Sequence, residues 1–503
     1  MKINNIKLPF YLYGEELNKA LIKKANVSQK SINSLKILKR SLDARDKGDI
    51  KYVYTISINE QEDNLTLPSF NKNVKPVIIG SGPSGLFCAL YLARMGLKPI
   101  VIERGSKCKE RKEKINTFCL GGKLDLNSNI QFGEGGAGTF SDGKLNTGIK
   151  SEFISWILKD FVKAGASAEI EYNNKPHIGS DILPICVTNI RHEIESLGGR
   201  FLFDTLFSGV NVENDTIKSV KTSQGEIECT DLILAIGHSA RDTFKMLYNS
   251  GVSMESKPFA VGVRIEHLRE DINKSQYGNE YDKRLPTADY KLTSNVNGRG
   301  VFTFCMCPGG FVMPSTSLEN HVVVNGMSEF KRDAINSNSA VIAQVTQNDF
   351  GTKLFDGLDF QEELEKKAYF LAGSNYNAPV QLFGDYLNNQ TSKNFKGVEP
   401  SYTRGVTFAN LNDLFTNNIN NALKNGIVDM GKRLKGFDSK NAVISGVESR
   451  TSSPIRLKRE QNGLAVGFQN LFPIGEGAGY AGGITSSAVD GIKCAFNLLE
   501  KYK

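Results

Sequence analysis

The stretch "PVIIGSGPSGLFCALYLARMGLKPIVIERG", Pro76 to Gly105, decides the fold. A short apolar strand runs into Gly80, Gly82 and Gly85 at G-x-G-x-x-G spacing; an apolar helix follows, and a second strand ends at Glu103. Each part has a task in binding a dinucleotide. Gly80 permits the tight turn, Gly82 lets the backbone approach a pyrophosphate, and Gly85 lets the helix pack on the strand. Pro83 and Ser84 open the helix, whose free N–H groups and positive dipole end favour phosphate. Glu103, with Arg104 beside it, stands where a carboxylate accepts both hydroxyls of an adenosine ribose. Its charge disfavours the 2′-phosphate of NADP in this site. The motif predicts FAD or NAD and does not choose between them.

A second glycine-rich turn lies near the C-terminus, in "LFPIGEGAGYAGGITSSAVDGIKCAFNLLEK", Leu471 to Lys501. Apolar "NLFPI" predicts a central strand, with Gly475 and Glu476 at its carboxyl end, where parallel sheets bind ligands. Gly477, Gly479, Gly482 and Gly483 let backbone approach a flat ring. From Ile484 a helix begins, whose N-terminus can face the flavin N1/O2 edge and stabilise an anionic reduced flavin. A long cofactor, held at one end near residue 80 and at the other near residue 480, needs both turns. That selects FAD. Non-covalent binding is expected, because no His lies in either turn to attach to the ring.

The rest of the chain frames these turns. At 503 residues it is too long for one core. Hydrophobic residues at 40% and charged residues at 23% are ordinary for a soluble globular protein. "MKINNIKLPFYLYGEEL" lacks the pattern of a secretory signal. Eight cysteines are scattered without zinc-site spacing, which reads as reduced thiols in a cytoplasmic protein with no bound metal. The net charge of +8 permits anionic ligands without demanding nucleic acid.

The expected organisation is α/β: an FAD-binding Rossmann-like domain, an inserted mixed or antiparallel β-sheet substrate domain, and a small N-terminal α+β domain. Residues 1–72 read as a β-α-β-β accessory unit, from "KINNIKL", "GEELNKALIKKA", "SINSLKILKRSL" and "YVYTISIN". This unit carries thirteen Lys/Arg against eight Asp/Glu, a balance of +5. It reads either as a docking face for nucleic acid or an acidic partner, or as a solvated basic surface. Residues 73–256 and 438–503 form the two parts of the FAD-binding domain. Between them, residues 257–437 hold the strand-like runs "FAVGVRIEH", "GVFTFCMC", "HVVVNGMS" and "AVIAQVT" of the inserted cap.

The arrangement resembles the FAD-binding oxidoreductases of the glutathione reductase and phenol hydroxylase type. In those, the late motif is usually Gly-Asp, whose acid binds the ribityl chain; here the acid is Glu476. The resemblance implies that "CTDLILAIGHSARDTF" supplies the strand end that passes the cofactor, with Ala235 and Gly237 in the matching places. It implies that "NIQFGEGGAGTFSDGKLNT" is a second glycine-rich loop over the pyrophosphate and ring, through Gly135, Gly136 and Gly138. More narrowly, "FGEGGAGTFSDGKL", "AIGHSARDTF", "PFAVGVRIEH", "FCMCPGG", "GVESRTSSPIR" and "PIGEGAGYAGGITSSAVDGI" occur in this order. Together they are similar to the bacterial family called uncharacterised FAD-dependent (NAD/FAD-utilising) dehydrogenases, which implies FAD and redox chemistry and no particular substrate.

For the chemistry, "GVRIEH" places Arg264, Glu266 and His267 at a strand end. Arg264 is a candidate for gripping a substrate carboxylate and His267 for moving a proton. An Arg–Glu pair with a solvated His is the competing reading. By alternation, Cys305 and Cys307 share a strand face before Pro308, Gly309 and Gly310, either lining the flavin or filling the core. Arg450, Thr451, Ser452, Ser453 and Arg456 could hold an anion or cross between domains. The paired cysteines of a disulfide reductase are missing, and so is a second G-x-G-x-x-G. NAD(P)H is therefore only a candidate transient donor. The expected function is hydride transfer between flavin N5 and a small, anionic or unsaturated metabolite. An RNA-modifying flavoprotein and a non-enzymatic flavin sensor are the alternatives; neither a membrane nor nucleic acid is expected as partner.

Overall fold

The computed structural model describes residues 1–60, 66–70 and 72–503, so part of the expected linker lies outside the described residues. The N-terminal unit has strand Lys2–Pro9, helix Gly14–Ala25 and strands Leu35–Asp43 and Lys51–Ile58, in the expected order. Lys51–Ile58 lies between the other two strands, antiparallel to both. The helix carries Glu15 and Glu16 in its first turn, Lys23 and Lys24 in its last, and ends on Asn26 at φ 53°. These are the charges and the left-handed stop that a helix dipole and its terminal carbonyls favour. Leu17 and Leu21 bury against Tyr54 and Ile56. Arg40 docks the unit onto the rest of the chain. Its guanidinium donates to Asn173 Oδ1 at 2.8 Å and to Glu169 at 2.7 Å, with the Tyr52 and Tyr172 rings 4.8 and 5.2 Å away.

A five-stranded parallel sheet orders Leu471–Pro473, Asp231–Leu234, Pro76–Ile79, Ile100–Ile102 and Arg200–Leu202. "NLFPI" is thus an edge strand, not the central one its apolar run suggested. Its outer side is covered by the preceding segment, where Ala465 donates to the Leu471 carbonyl at 2.7 Å. Burial by a loop and burial by a strand leave the same apolar signature. The helices Pro83–Arg94 and Ile484–Lys501 pack face to face, with Gly491 against the Ser84 carbonyl, where a Cβ would not fit. Their buried residues form one core with the sheet.

Seven further strands form a second sheet in the order Thr293–Val296, Arg299–Cys307, Asn336–Val345, Phe259–Leu268, Val443–Glu448, Ala378–Leu382 and Val406–Phe408. All pairs are antiparallel except the last. Helix Asn417–Gly431 covers one face through Leu423 and Ile427. Val443–Glu448 lies inside this sheet, although the sequence reading placed 438–503 with the first sheet. A short apolar strand does not state which sheet it joins; here, pairing with Phe259–Leu268 decides it. No helix among the described residues is long and apolar enough to cross a membrane.

Candidate functional site

A cavity of about 510 Å³ opens between the carboxyl ends of the parallel strands and the seven-stranded sheet. On the first side it is lined by Gly80, Gly82, Pro83 and Ser84, then by Glu103 and Arg104, and by Ala235 to Ala240. Gly80 sits at φ 101°, and a Cβ there would lie 2.5 Å from the Ala235 carbonyl oxygen, so only glycine makes this turn. A Cβ on Gly136 would lie 2.9 Å from the Gly82 Cα, so the two glycine loops touch backbone to backbone. Gly475 packs on Ser84, and Gly138 on both Ile484 and Pro83. The turns near residues 80 and 480 are therefore neighbours across one cavity. Gly85, Gly135 and Gly475 do not line it; they pack the elements that do.

Glu103 is buried, and its carboxylate is already engaged. Oε2 accepts from the Ser81 N–H at 3.0 Å and the Ser81 hydroxyl at 2.8 Å, and Oε1 accepts from the Gly105 and Gly133 N–H groups at 3.0 Å each. The expected ribose acceptor thus also staples the first turn to the second glycine loop. That loop has an internal frame. Arg111, fully buried, donates to the carbonyls of Asn129, Ile130 and Glu134, and burial pulls its guanidinium down to about 10. The Glu134 carboxylate accepts from Arg191 at 2.6 Å and from the Cys108 N–H at 2.7 Å. Arg104 pairs with Asp242 at 2.5 Å.

Glu476 does not stand alone at its strand end. Its Oε1 lies 3.0 Å from His238 Nδ1. His238 Nε2 is buried without a partner. A proton on Nδ1 lets the imidazole donate to the Glu476 carboxylate.

The far wall carries charge. Asp142 is held between Lys144 at 2.8 Å and Arg332, whose Nη2 and Nε lie 2.5 and 2.9 Å away. Burial alone would raise the Asp142 carboxyl, but Lys144 and Arg332 hold it well below the usual range. Lys175, Lys291, Asp289, Tyr290, Cys305, Asn325 and Arg450 complete this side. Behind it, Glu365 binds both Arg241, at 2.8 Å, and Arg450, at 2.7 Å, which overcomes its burial and keeps it ionised.

Of Arg264, His267, Cys305 and Cys307, only Cys305 lines the cavity; of the candidate anion-holding residues, Arg450 and Thr451 line it, and Ser452, Ser453 and Arg456 do not. Arg264 has no exposed surface. It forks onto Glu448 at 2.9 and 3.2 Å and donates to Asn338 at 2.7 Å. Glu266, on the same strand face, pairs instead with Ser401 and Asn336. His267 points to the opposite side, onto the Phe437 carbonyl at 2.8 Å, and burial pushes it down to about 4. It is not placed to move a proton in the cavity at neutral pH; strand alternation gives the faces but not which face meets the cavity. Cys307 is buried and does not line the cavity. Asp142 and Lys144, within "FSDGKLNT", directly follow the glycine loop, a position that brings them to the same cavity. Asn325 and Arg332 carry no local signal at all.

Residues 258–451 match the family model described as "FAD-dependent protein, C-terminal domain-like", and residues 1–59 match a domain of unknown function. An uncharacterized protein of Clostridium beijerinckii is 44% identical over 527 aligned positions, covering 100% of this chain and 99% of its own. Among solved structures, L-proline dehydrogenase from P. horikoshii aligns with 13% identity over 87% of this chain and 95% of its own, at a TM-score of 0.36. Glycine oxidase from Bacillus cereus aligns with 13% identity over 86% and 96%, at 0.34. The cavity fits FAD on its own terms. A Cβ on Gly237, Gly482 or Gly483 would meet nothing within 4 Å, and all three line the cavity, leaving backbone open to a flat ligand. The helix N-terminus at Pro83 and the Glu103 carboxylate line the same cavity.

Proposed function

From the premise that the chain belongs to the family of the Clostridium beijerinckii protein and is an FAD-dependent oxidoreductase, we propose that it transfers a hydride between FAD and a small anionic metabolite. The observation that carries this reading is one cavity lined on one side by both glycine turns and on the other by a cationic wall. In this reading, residues 73–256 and 438–503, less the strand Val443–Glu448, form an FAD-binding part of the glutathione reductase and phenol hydroxylase type. The seven-stranded sheet caps it and holds the substrate.

The N-terminus of helix Pro83–Arg94 would hold the pyrophosphate, as helix N-termini do. Glu103 and Arg104 would meet the adenosine end. Glu476, aligned by His238, would meet the polar middle of the cofactor. Backbone at Gly237, Gly482 and Gly483, with the helix starting at Ile484, would face the ring. When bound, FAD supplies two-electron redox chemistry at its N5. On the far wall, Lys144, Lys175, Lys291 and Arg332 face Asp142 and Asp289, an excess of positive charge. Arg332 meets Asp142 through Nε and Nη2, and its remaining Nη1 edge would orient a substrate carboxylate. The apolar flank of Phe304 and Met306 would exclude water.

The test is anaerobic bleaching of the bound flavin with NADH, NADPH and a panel of carboxylates and their amides. A carboxylate that bleaches the flavin, with its amide at least tenfold slower and Arg332→Gln removing that preference, supports the reading. Amides that bleach as fast as the acids would overturn the anionic substrate class.

A further inference from the structure

We propose that Cys305 is a nucleophilic thiolate on the cavity wall, placed to add to an electron-poor carbon such as the β-carbon of an α,β-unsaturated carboxylate or imide. This goes beyond hydride transfer and does not depend on it, because the addition requires no oxidant or reductant.

Position is the first ground. The strand Arg299–Cys307 loses register with Asn336–Val345 between Phe304 and Cys307, and Cys305 stands there at φ 42°. A non-glycine residue is uncommon in this left-handed region. The kink puts Cys305 on the cavity wall, whereas the other seven cysteines are buried.

The second ground is an excess of donors. Asn338, opposite Cys307 in the ladder, is fully buried; its Oδ1 accepts from Arg264, and its Nδ2 has no acceptor. The backbone of Gly326 sits against Arg264, Asn338 Oδ1 and Cys307 Sγ together, so these groups form one cluster. Arg264 also donates to the Cys305 carbonyl at 3.2 Å, and Cys307 Sγ lies 3.3 Å from that same oxygen. Lys144, Arg264 and Arg332 set three positive charges against Asp142 and Glu448. A thiolate at Cys305 would offset part of this positive charge, from Lys144 and Arg264 in particular. Tyr290, bonded to Ser339, His177, on the Phe330 carbonyl, and Lys175, Lys291, Asp289 and Arg450 of the same wall are further titratable groups around it.

The electrostatics agree. A hydrogen bond from the Cys307 thiol, and then the Lys144 and Arg264 charges, bring Cys305 down to about 5 despite its burial. The same hydrogen bond, with burial, keeps Cys307 protonated as the donor. In the addition, the thiolate electron pair forms the S–C bond, the C=C π pair moves to the α-carbon, and that carbon takes a proton from solvent. Nothing is oxidised or reduced.

The experiment uses the FAD-loaded protein and N-ethylmaleimide between pH 5 and 9, read by intact mass and peptide mapping. One label on Cys305 is expected. Its rate should level off above about pH 6 and, at pH 6, exceed that of a free cysteine about tenfold, after allowing for the lower intrinsic nucleophilicity of a low-pKa thiolate. Cys305→Ser should take no label. Lys144→Gln should move the inflection to higher pH without changing which residue is labelled. An inflection near 8.5, the value of an ordinary thiol, or labelling no faster at Cys305 than at the buried cysteines, would overturn the proposal.

Discussion

Replacing Glu103 by Ala tests how the glycine turns are held together before any cofactor arrives. The carboxylate accepts three backbone N–H groups, from Ser81, Gly105 and Gly133, and one hydroxyl, from Ser81. Removing it leaves three buried donors without an acceptor. Each such loss costs about 1–3 kcal/mol. Water can enter from the cavity that Glu103 lines, which favours the low end, about 1 kcal/mol per donor and about 3 kcal/mol in all. The apoprotein should therefore unfold at lower urea, and the Ser81, Gly105 and Gly133 amides should exchange hydrogen faster by one to two decades. FAD affinity should fall with them by about 1.5–3 kcal/mol, also one to two decades, read by quenching of flavin fluorescence. Glu103→Gln keeps one acceptor oxygen and should lie about midway. A Glu103→Ala apoprotein with unchanged stability and unchanged amide exchange would show that the carboxylate does not staple the two loops.

Other perturbations separate cofactor space from structure. Gly483→Val should leave apoprotein stability within about 0.5 kcal/mol, because the backbone there is extended at φ 174° and a Cβ meets no atom. It should nevertheless purify without FAD, and a full flavin complement measured by absorbance would refute the placement of the ring. Arg264→Lys loses the buried fork onto Glu448 and should destabilise the fold by about 3 kcal/mol, measured by urea unfolding; a loss of turnover with native stability would return Arg264 to the substrate site. The Asp142 and Glu365 carboxyls are both depressed in the folded state. The stability they contribute is complete above the unfolded pKa near 4 and is lost as pH falls below it towards their folded values. Glu365→Gln should therefore flatten the stability–pH slope below about pH 5, and an unchanged slope would show that the Arg241 and Arg450 pairs do not hold that charge.

The sequence by itself determined the two glycine turns, the strand-turn-helix around Gly80, the order of elements in the N-terminal unit and the choice of FAD. These are local matters. Whether a chain can turn at Gly80 depends on a missing Cβ, and whether Gly14–Ala25 is helical depends on spacing within a dozen residues. It also placed most of the cavity's first wall, because strand ends in a parallel sheet converge wherever the pattern puts them. The tertiary structure alone decided the rest. Arg264 and His267 read as exposed chemistry, yet their partners Glu448 and Phe437 arrive from almost two hundred residues away along the chain. The double use of Glu103 required Gly133, and the pairing of Glu476 required His238. Cys305 and Cys307 alternate identically in the sequence; a slip in pairing with Asn336–Val345 separates them, sending one to the cavity and the other into the core. Backbone preference is written residue by residue, but the partner of a buried charge, and the face a strand turns to a cavity, are fixed only by which distant segment packs against it.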